Sequence, residues 1–157
     1  MEGDHMRIAV SSDGKSRLTR YVIEYLRSAG HNVVLFGALR KKNAEWVEAS
    51  SVPVEQFMEG KFDEVILFCW TGTGAAIAAN KVPGIRAALC TEPDQARGAR
   101  RWNHANVLVL SMQLTSNAKA REILDAWFSE EYGTTQFDLR NVAKLDKLEK
   151  KYIKGRP

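Results

Sequence analysis

Cys69 closes a short apolar run that begins at Val65. The chain then turns through Trp70, Thr71, Gly72, Thr73 and Gly74 into an alanine-rich stretch ending at Lys81-Val82-Pro83. A run this short, β-branched and uninterrupted reads as a strand buried on both faces. The two glycines allow a tight turn and a close approach of backbone to a ligand. Thr71 or Thr73 is placed to cap the following helix, whose first N–H groups have no partner of their own. A helix start of this kind accepts an anion, with Gly72, Thr73 and Gly74 as its cradle. Cys69 at the lip is either a small buried core residue or a thiol with a task, and Cys90 is the internal control. Both cysteines end an apolar run, but only Cys69 precedes a glycine turn. A dinucleotide fingerprint on Gly72 and Gly74 with Glu92 downstream is a poorer reading. Ile77 occupies the third glycine position, and the strand is not the first of its unit.

The elements that must position this turn alternate regularly. Residues 7–11 form a strand ended by Ser12-Asp13-Gly14. Residues 16–29 form a helix, with Leu18, Val22, Tyr25 and Leu26 on one stripe and Gly30 as its stop. A strand at 33–36 ends at Gly37, and 38–46 read as a polar, basic surface loop. Residues 52–58 are helical, with Pro53 suited only to the first turn. After the central strand and helix come a strand at 85–90, a helix from Pro93 to about Trp102 and a strand at 106–110. A long helix at 117–131 follows. A break at 133–136 precedes a last amphipathic helix with Val142, Leu145, Leu148 and Tyr152. Strands alternating with helices give an α/β fold, a five-stranded parallel sheet with helices on both faces. Ligands of such sheets bind beyond the carboxyl ends of the strands. That edge carries Asp13, Gly37, Cys69 to Gly74, Glu92 and Ser111.

The 157 residues fit one domain, taken as 6–157, with Met1 to His5 ahead of a second methionine read as an expression remnant. No stretch is apolar enough to span a membrane, and two cysteines suit a reducing cytoplasm better than a disulfide framework. The net charge of +4 is mild and gathers partly between Lys144 and Arg156, so nucleic acid is not expected as a partner. No zinc-ligand spacing is present, and neither metal nor cofactor is expected.

The stretch 69–89, CWTGTGAAIAANKVPGIRAAL, resembles the ribose-5-phosphate isomerase B and galactose-6-phosphate isomerase family. The usual form there is C-G-T-G-x-G, a few small residues, A-x-N-K, then G-I-R-A. The opening MRIAVSSDG at 6–14, the G-H-x-V-x-x-x-G pattern at 30–37 and NHANVLVL at 103–110 extend the resemblance over nearly the whole chain. It implies a Rossmann-like three-layer α/β/α domain that forms homodimers, in some cases tetramers, with each active site at the subunit interface. It implies a metal-free aldose–ketose isomerisation of a phosphorylated sugar through an enediolate, with Cys69 as the proton-transfer base. The last helix, 136–157, is expected to pack on the partner subunit. Only the thiolate is basic, and a nearby helix N-terminus stabilises it. The N–H groups of Thr71 to Gly74 would hold the enediolate oxygen as an oxyanion hole does.

Several family positions read differently here. Ser12-Asp13 is followed by Gly14-Lys15-Ser16 rather than His-x-Gly, and Glu45-Trp46-Val47 stands for Asp-Tyr-Pro. Trp102 precedes Asn103 where the family has its ring-opening histidine. Gln113 stands for an arginine, and Gln136-Phe137-Asp138-Leu139-Arg140 stands for Arg-His-x-x-Arg. Glutamine cannot replace a bidentate guanidinium on phosphate. The expected substrate contacts are therefore Asp13, the 72–74 cradle, Asn103, and Arg140 from the partner. Asp13 suits a helix cap equally well. His104 is an alternative for ring opening, Trp46 and Trp102 are packing or stacking residues, and Lys15, Arg17, Arg97, Arg100 and Arg101 are spare cations. A non-catalytic sugar-phosphate-binding protein on the same scaffold is the alternative function.

Overall fold

A computed structural model describes residues 4–40 and 43–153. Among these, β1 (Arg7–Ser12), α1 (Arg17–Ser28), β2 (Asn32–Gly37), α2 (Trp46–Met58), β3 (Glu64–Cys69) and α3 (Thr73–Ala79) follow in order. Then come β4 (Ala87–Leu89), α4 (Pro93–Asn103), β5 (Val107–Ser111), α5 (Asn117–Ser129) and α6 (Gln136–Ile153). All strand pairs are parallel, in the order β2-β1-β3-β5-β4. The chain steps outward from β1 to β2, returns across β1 to β3, runs to β4 at the far edge and comes back to β5. Right-handed crossovers then place α1 and α4 on one face and α2 and α3 on the other.

The side chains divide as the strand period of two requires. Ile8, Val10, Ile66, Phe68, Leu108 and Leu110 pack with α1, α4 and α5 around the fully buried Trp127. Ala9, Val65, Leu67, Cys69, Val107 and Val109 pack with α2 and α3. The two cysteines thus lie on opposite faces of the sheet.

Two elements differ from expectation for identifiable reasons. Helix α2 begins at Trp46, six residues before the expected start, and carries Pro53 in its interior. Proline lacks the N–H that would bond the Ala49 carbonyl. The Ser11 hydroxyl of β1 donates to that carbonyl instead, so the vacancy is filled by the sheet. Strand β4 holds three residues instead of six. Upstream of it, the Arg86 N–H is taken by Asn106 Oδ1 at 2.7 Å. The outer edge of Ala87 is covered by the Asn80 amide, which accepts from its N–H at 2.8 Å and donates to its carbonyl at 3.0 Å. A side chain that mimics a neighbouring strand blunts this edge.

Helix α6 starts on a Thr135–Asp138 cap, with Asp138 N–H to Thr135 Oγ1 at 3.1 Å, and Glu149 accepts from Gly84 N–H at 3.1 Å. Leu148 and Tyr152 remain 54% and 62% exposed. The expected end of this helix, residues 154–157, and Lys41-Lys42 of the expected loop lie outside the described residues. No helix among the described residues is long and apolar enough to cross a membrane.

Candidate active site

Cys69 is the last residue of β3, buried against the α2–α3 layer. The turn beyond it is clamped from the neighbouring strand. Met112 N–H donates to the Cys69 carbonyl at 3.0 Å, and Gln113 N–H donates to the Trp70 carbonyl at 2.9 Å. Gly72 adopts φ +84°, a region that side-chain-bearing residues avoid, and the Leu89 side chain fills the place a Cβ would need. Glycine is required here on both counts.

The expected threonine cap is not what forms. Gly72 itself is the N-cap of α3 and no side chain caps it; Thr73 is the first helical residue. The two hydroxyls pair with each other instead, Thr71 Oγ1 to Thr73 Oγ1 at 2.8 Å. The first bond of the helix runs from Ala76 N–H to the Gly72 carbonyl at 3.1 Å. The N–H groups of Thr73, Gly74 and Ala75 precede it and have no helical partner. Trp46 packs over Gly74, where a Cβ would approach its ring to 3.1 Å. Trp70, next to the thiol, is 60% exposed. One indole, that of Trp46, thus covers the turn.

Asp13 stands at the same edge. Ser12, the last residue of β1, is opposite Phe68 in the β1–β3 register, so Asp13 follows β1 at the edge where Cys69 ends β3. The alternative of a helix cap fails, because Ser16 caps α1 through a reciprocal pair with Thr19, its Oγ accepting from Thr19 N–H at 3.1 Å. Asp13 Oδ1 is buried without a hydrogen-bond partner. Its burial pushes the carboxyl above the ordinary aspartate range. An acceptor left unspent at the edge where Cys69 lies is available to a ligand hydroxyl.

Cys90 serves as the contrast. It is fully buried on the other face, and burial pushes its thiol up to about 12, so it stays protonated.

A single chain does not bring Asn103 or Arg140 to Cys69. Helix α4 descends from the carboxyl edge, and Asn103 ends it near the start of β4 and β5, in a groove of about 640 Å³ with Asn80, Arg86 and Leu148. Arg140 lies on α6 with its guanidinium 5.9 Å from the Phe137 ring. His104 is occupied structurally: its Nε2 is 2.9 Å from the Gly133 carbonyl, and its ring stacks on Tyr132 at 4.5 Å. Of the spare cations, Arg97, Arg100 and Arg101 pair with Asp94, Glu64 and Glu130. Trp102, 58% exposed, has its ring against Gly98. The clamp from β5, centred on Ser111, went unread in the sequence. Its signal was that Cys69 and Ser111 both end strands at one edge. Among the described residues, no three His, Cys, Asp or Glu side chains converge on a metal position.

The sequence pattern of the ribose/galactose isomerase family matches residues 8–148. Ribose-5-phosphate isomerase B of Escherichia coli is 33% identical over 115 residues, 73% of this chain and 77% of the relative. D-erythrulose-4-phosphate isomerase of Pectobacterium atrosepticum is 32% identical over 129 residues, 81% of this chain and 85% of the relative. A 4-deoxy-4-sulfo-D-erythrose isomerase of a Clostridium species is 29% identical over 152 residues, 96% and 90% of the two chains. The solved ribose-5-phosphate isomerase B of Clostridium thermocellum superposes with a TM-score of 0.87 at 36% identity, covering 94% of this chain and 99% of that one. With the match running from β1 into α6 on the same backbone architecture, the chain belongs to the ribose/galactose isomerase family.

Proposed function

We propose that this protein is an aldose–ketose isomerase of a phosphorylated sugar, working by proton transfer through an enediolate. The observation that carries the reading is Cys69 at the carboxyl end of β3, abutting a glycine turn whose N–H groups are unspent. The Cys69 thiolate removes the proton from the carbon beside the carbonyl. The C–H electron pair moves into the new carbon–carbon double bond, and the carbonyl becomes an enediolate oxygen held by the N–H groups of the 71–74 turn. A proton passes from the neighbouring hydroxyl to the enediolate oxygen, so that the hydroxyl oxygen becomes the new carbonyl, and the thiol delivers a proton to the former carbonyl carbon. Asp13 accepts from a sugar hydroxyl.

Asn103 and Arg140 reach this site only from a second copy, which makes the working form a homodimer with shared sites. The exposed face of α6, with Leu148 and Tyr152, gains its cover in the same assembly. The unpaired cysteines fit a cytoplasmic setting. The test is complementation. Cys69→Ala and Arg140→Ala proteins, each inactive alone, regain part of the wild-type turnover when unfolded together and refolded, because some mixed dimers carry one intact site. A mixture no more active than its parts, with both variants dimeric by light scattering, contradicts the shared site.

The substrate panel includes ribose 5-phosphate, galactose 6-phosphate and four-carbon sugars ending in phosphate or sulfonate, since relatives named for both kinds of four-carbon sugar are among those found. Gln113 and Gln136, in place of arginines, favour a second reading, a sugar-phosphate-binding protein without turnover. That reading predicts saturable binding indifferent to Cys69→Ser.

A further inference from the structure

Ser111 ends β5, is fully buried, and stands opposite Cys69 in the β3–β5 register. Its hydroxyl donates to the Trp70 carbonyl at 2.9 Å and accepts from Leu114 N–H at 3.1 Å. The same Trp70 carbonyl also accepts from Gln113 N–H at 2.9 Å. These bonds mark a departure from strand geometry. Successive carbonyls of a strand point to opposite sides, and the Cys69 carbonyl already faces β5 through its bond from Met112 N–H. A continuing strand would turn the Trp70 carbonyl toward β1. It is drawn to β5 instead, with Ser111 and Gln113 as the two donors that hold it there.

The consequence follows from the planar trans peptide, in which the C=O and the following N–H point in opposite directions. A Trp70 carbonyl held toward β5 aims the Thr71 N–H toward β1, the side on which Asp13 Oδ1 lies unpartnered. We propose that Ser111 is a positioning residue that keeps the Trp70–Thr71 peptide turned, so that the Thr71 N–H faces the cleft between Cys69 and Asp13 as an oxyanion donor. The kinetic part of this assignment rests on the isomerase reading above; the geometric part does not.

The test compares wild type, Ser111→Ala and Ser111→Thr. A donor needed only at the transition state, once its aim is lost, costs kcat and spares KM. Ser111→Ala is expected to lose roughly tenfold to a hundredfold in kcat with KM within about twofold. Ser111→Thr keeps the hydroxyl and recovers most of the loss. The alkylation rate of Cys69 by iodoacetamide stays the same in all three, because the base is untouched. Wild-type kcat in Ser111→Ala, equal losses in both variants, or a kcat loss matched by altered Cys69 alkylation overturns the assignment. Should the wild type turn over no sugar of the panel, the isomerase reading fails separately. The geometry is then decided by amide relaxation in the free proteins. Millisecond exchange at the Thr71 amide in Ser111→Ala alone supports it, and equal rigidity in all three overturns it.

Discussion

Cys69→Ala is expected to lose on the order of a thousandfold in kcat on whichever sugar the wild type converts, while Cys90→Ala keeps its turnover. The two substitutions remove the same group from the last residue of β3 and from the residue after β4, so the contrast isolates position. Cys69 ends β3 at the carboxyl edge, where the glycine turn begins and Asp13 Oδ1 is without a partner. Cys90 packs on the opposite face, and with its thiol raised to about 12 by burial it cannot serve as a base near neutral pH. Initial rates with folded protein confirmed by circular dichroism make the comparison. Turnover surviving in Cys69→Ala, or lost equally in both variants, refutes the assignment of the base.

The largest stability effect is expected at the opposite pole, in Arg100→Met. Arg100 of α4 lies 3.8 Å from Glu64 at the start of β3, with side chains only 16% and 12% exposed. Its guanidinium stacks over Trp127 and Tyr132, at 5.0 and 4.5 Å from their ring centres, and donates to the Ala105 carbonyl at 2.9 Å. Trp127 Nε1 donates to Glu64 as well, at 3.1 Å. One cation thus ties β3, α4, α5 and the segment before α6 together. Burial raises the Glu64 carboxyl above its ordinary value, and Arg100 draws it only partly back. Removing Arg100 strands that carboxylate, which costs about 3–5 kcal/mol near pH 7.

The pH dependence has a definite sign. A carboxyl whose folded pKa is raised holds its proton better in the folded state, so its contribution is present below the ordinary value of 4.5 and is lost as pH rises through the folded value. The deficit of Arg100→Met is therefore expected to shrink as the pH is lowered, because protonated Glu64 no longer needs a cation. Urea unfolding at several pH values reads this directly. Glu64→Gln combined with Arg100→Met should recover much of the loss, since no buried charge remains. A double variant as unstable as Arg100→Met alone contradicts the ion-pair account and leaves lost stacking as the cause.

The alternation of strands and helices was legible because each central strand is buried on both faces and reads as an unbroken apolar run. Val65 to Cys69 is the clearest case. The errors fell where tertiary partners overrode a local rule. Pro53 forbids a helix interior unless something satisfies the freed Ala49 carbonyl, and Ser11 lies thirty-eight residues away in sequence. The strand expected at 85–90 was cut short by Asn106 taking the Arg86 N–H. At the site, Cys69 and Gly72 were visible from type and spacing. That Asp13 does not cap α1 shows only in the geometry, although the Ser16–Thr19 pair held the clue. The distance of Asn103 from Cys69 within one chain follows from the direction of α4, which no spacing reveals.

The most direct test of proton transfer at Cys69 is isomerisation in deuterium oxide, with the recovered sugar examined for deuterium at the carbon between which and its neighbour the carbonyl moves. The enediolate account predicts solvent deuterium at that carbon, at a rate abolished with turnover in Cys69→Ala. Because the Cys69 S–H exchanges with solvent while the enediolate is bound, label accumulates over repeated turnovers; none after many turnovers, or the same incorporation in Cys69→Ala, contradicts the account.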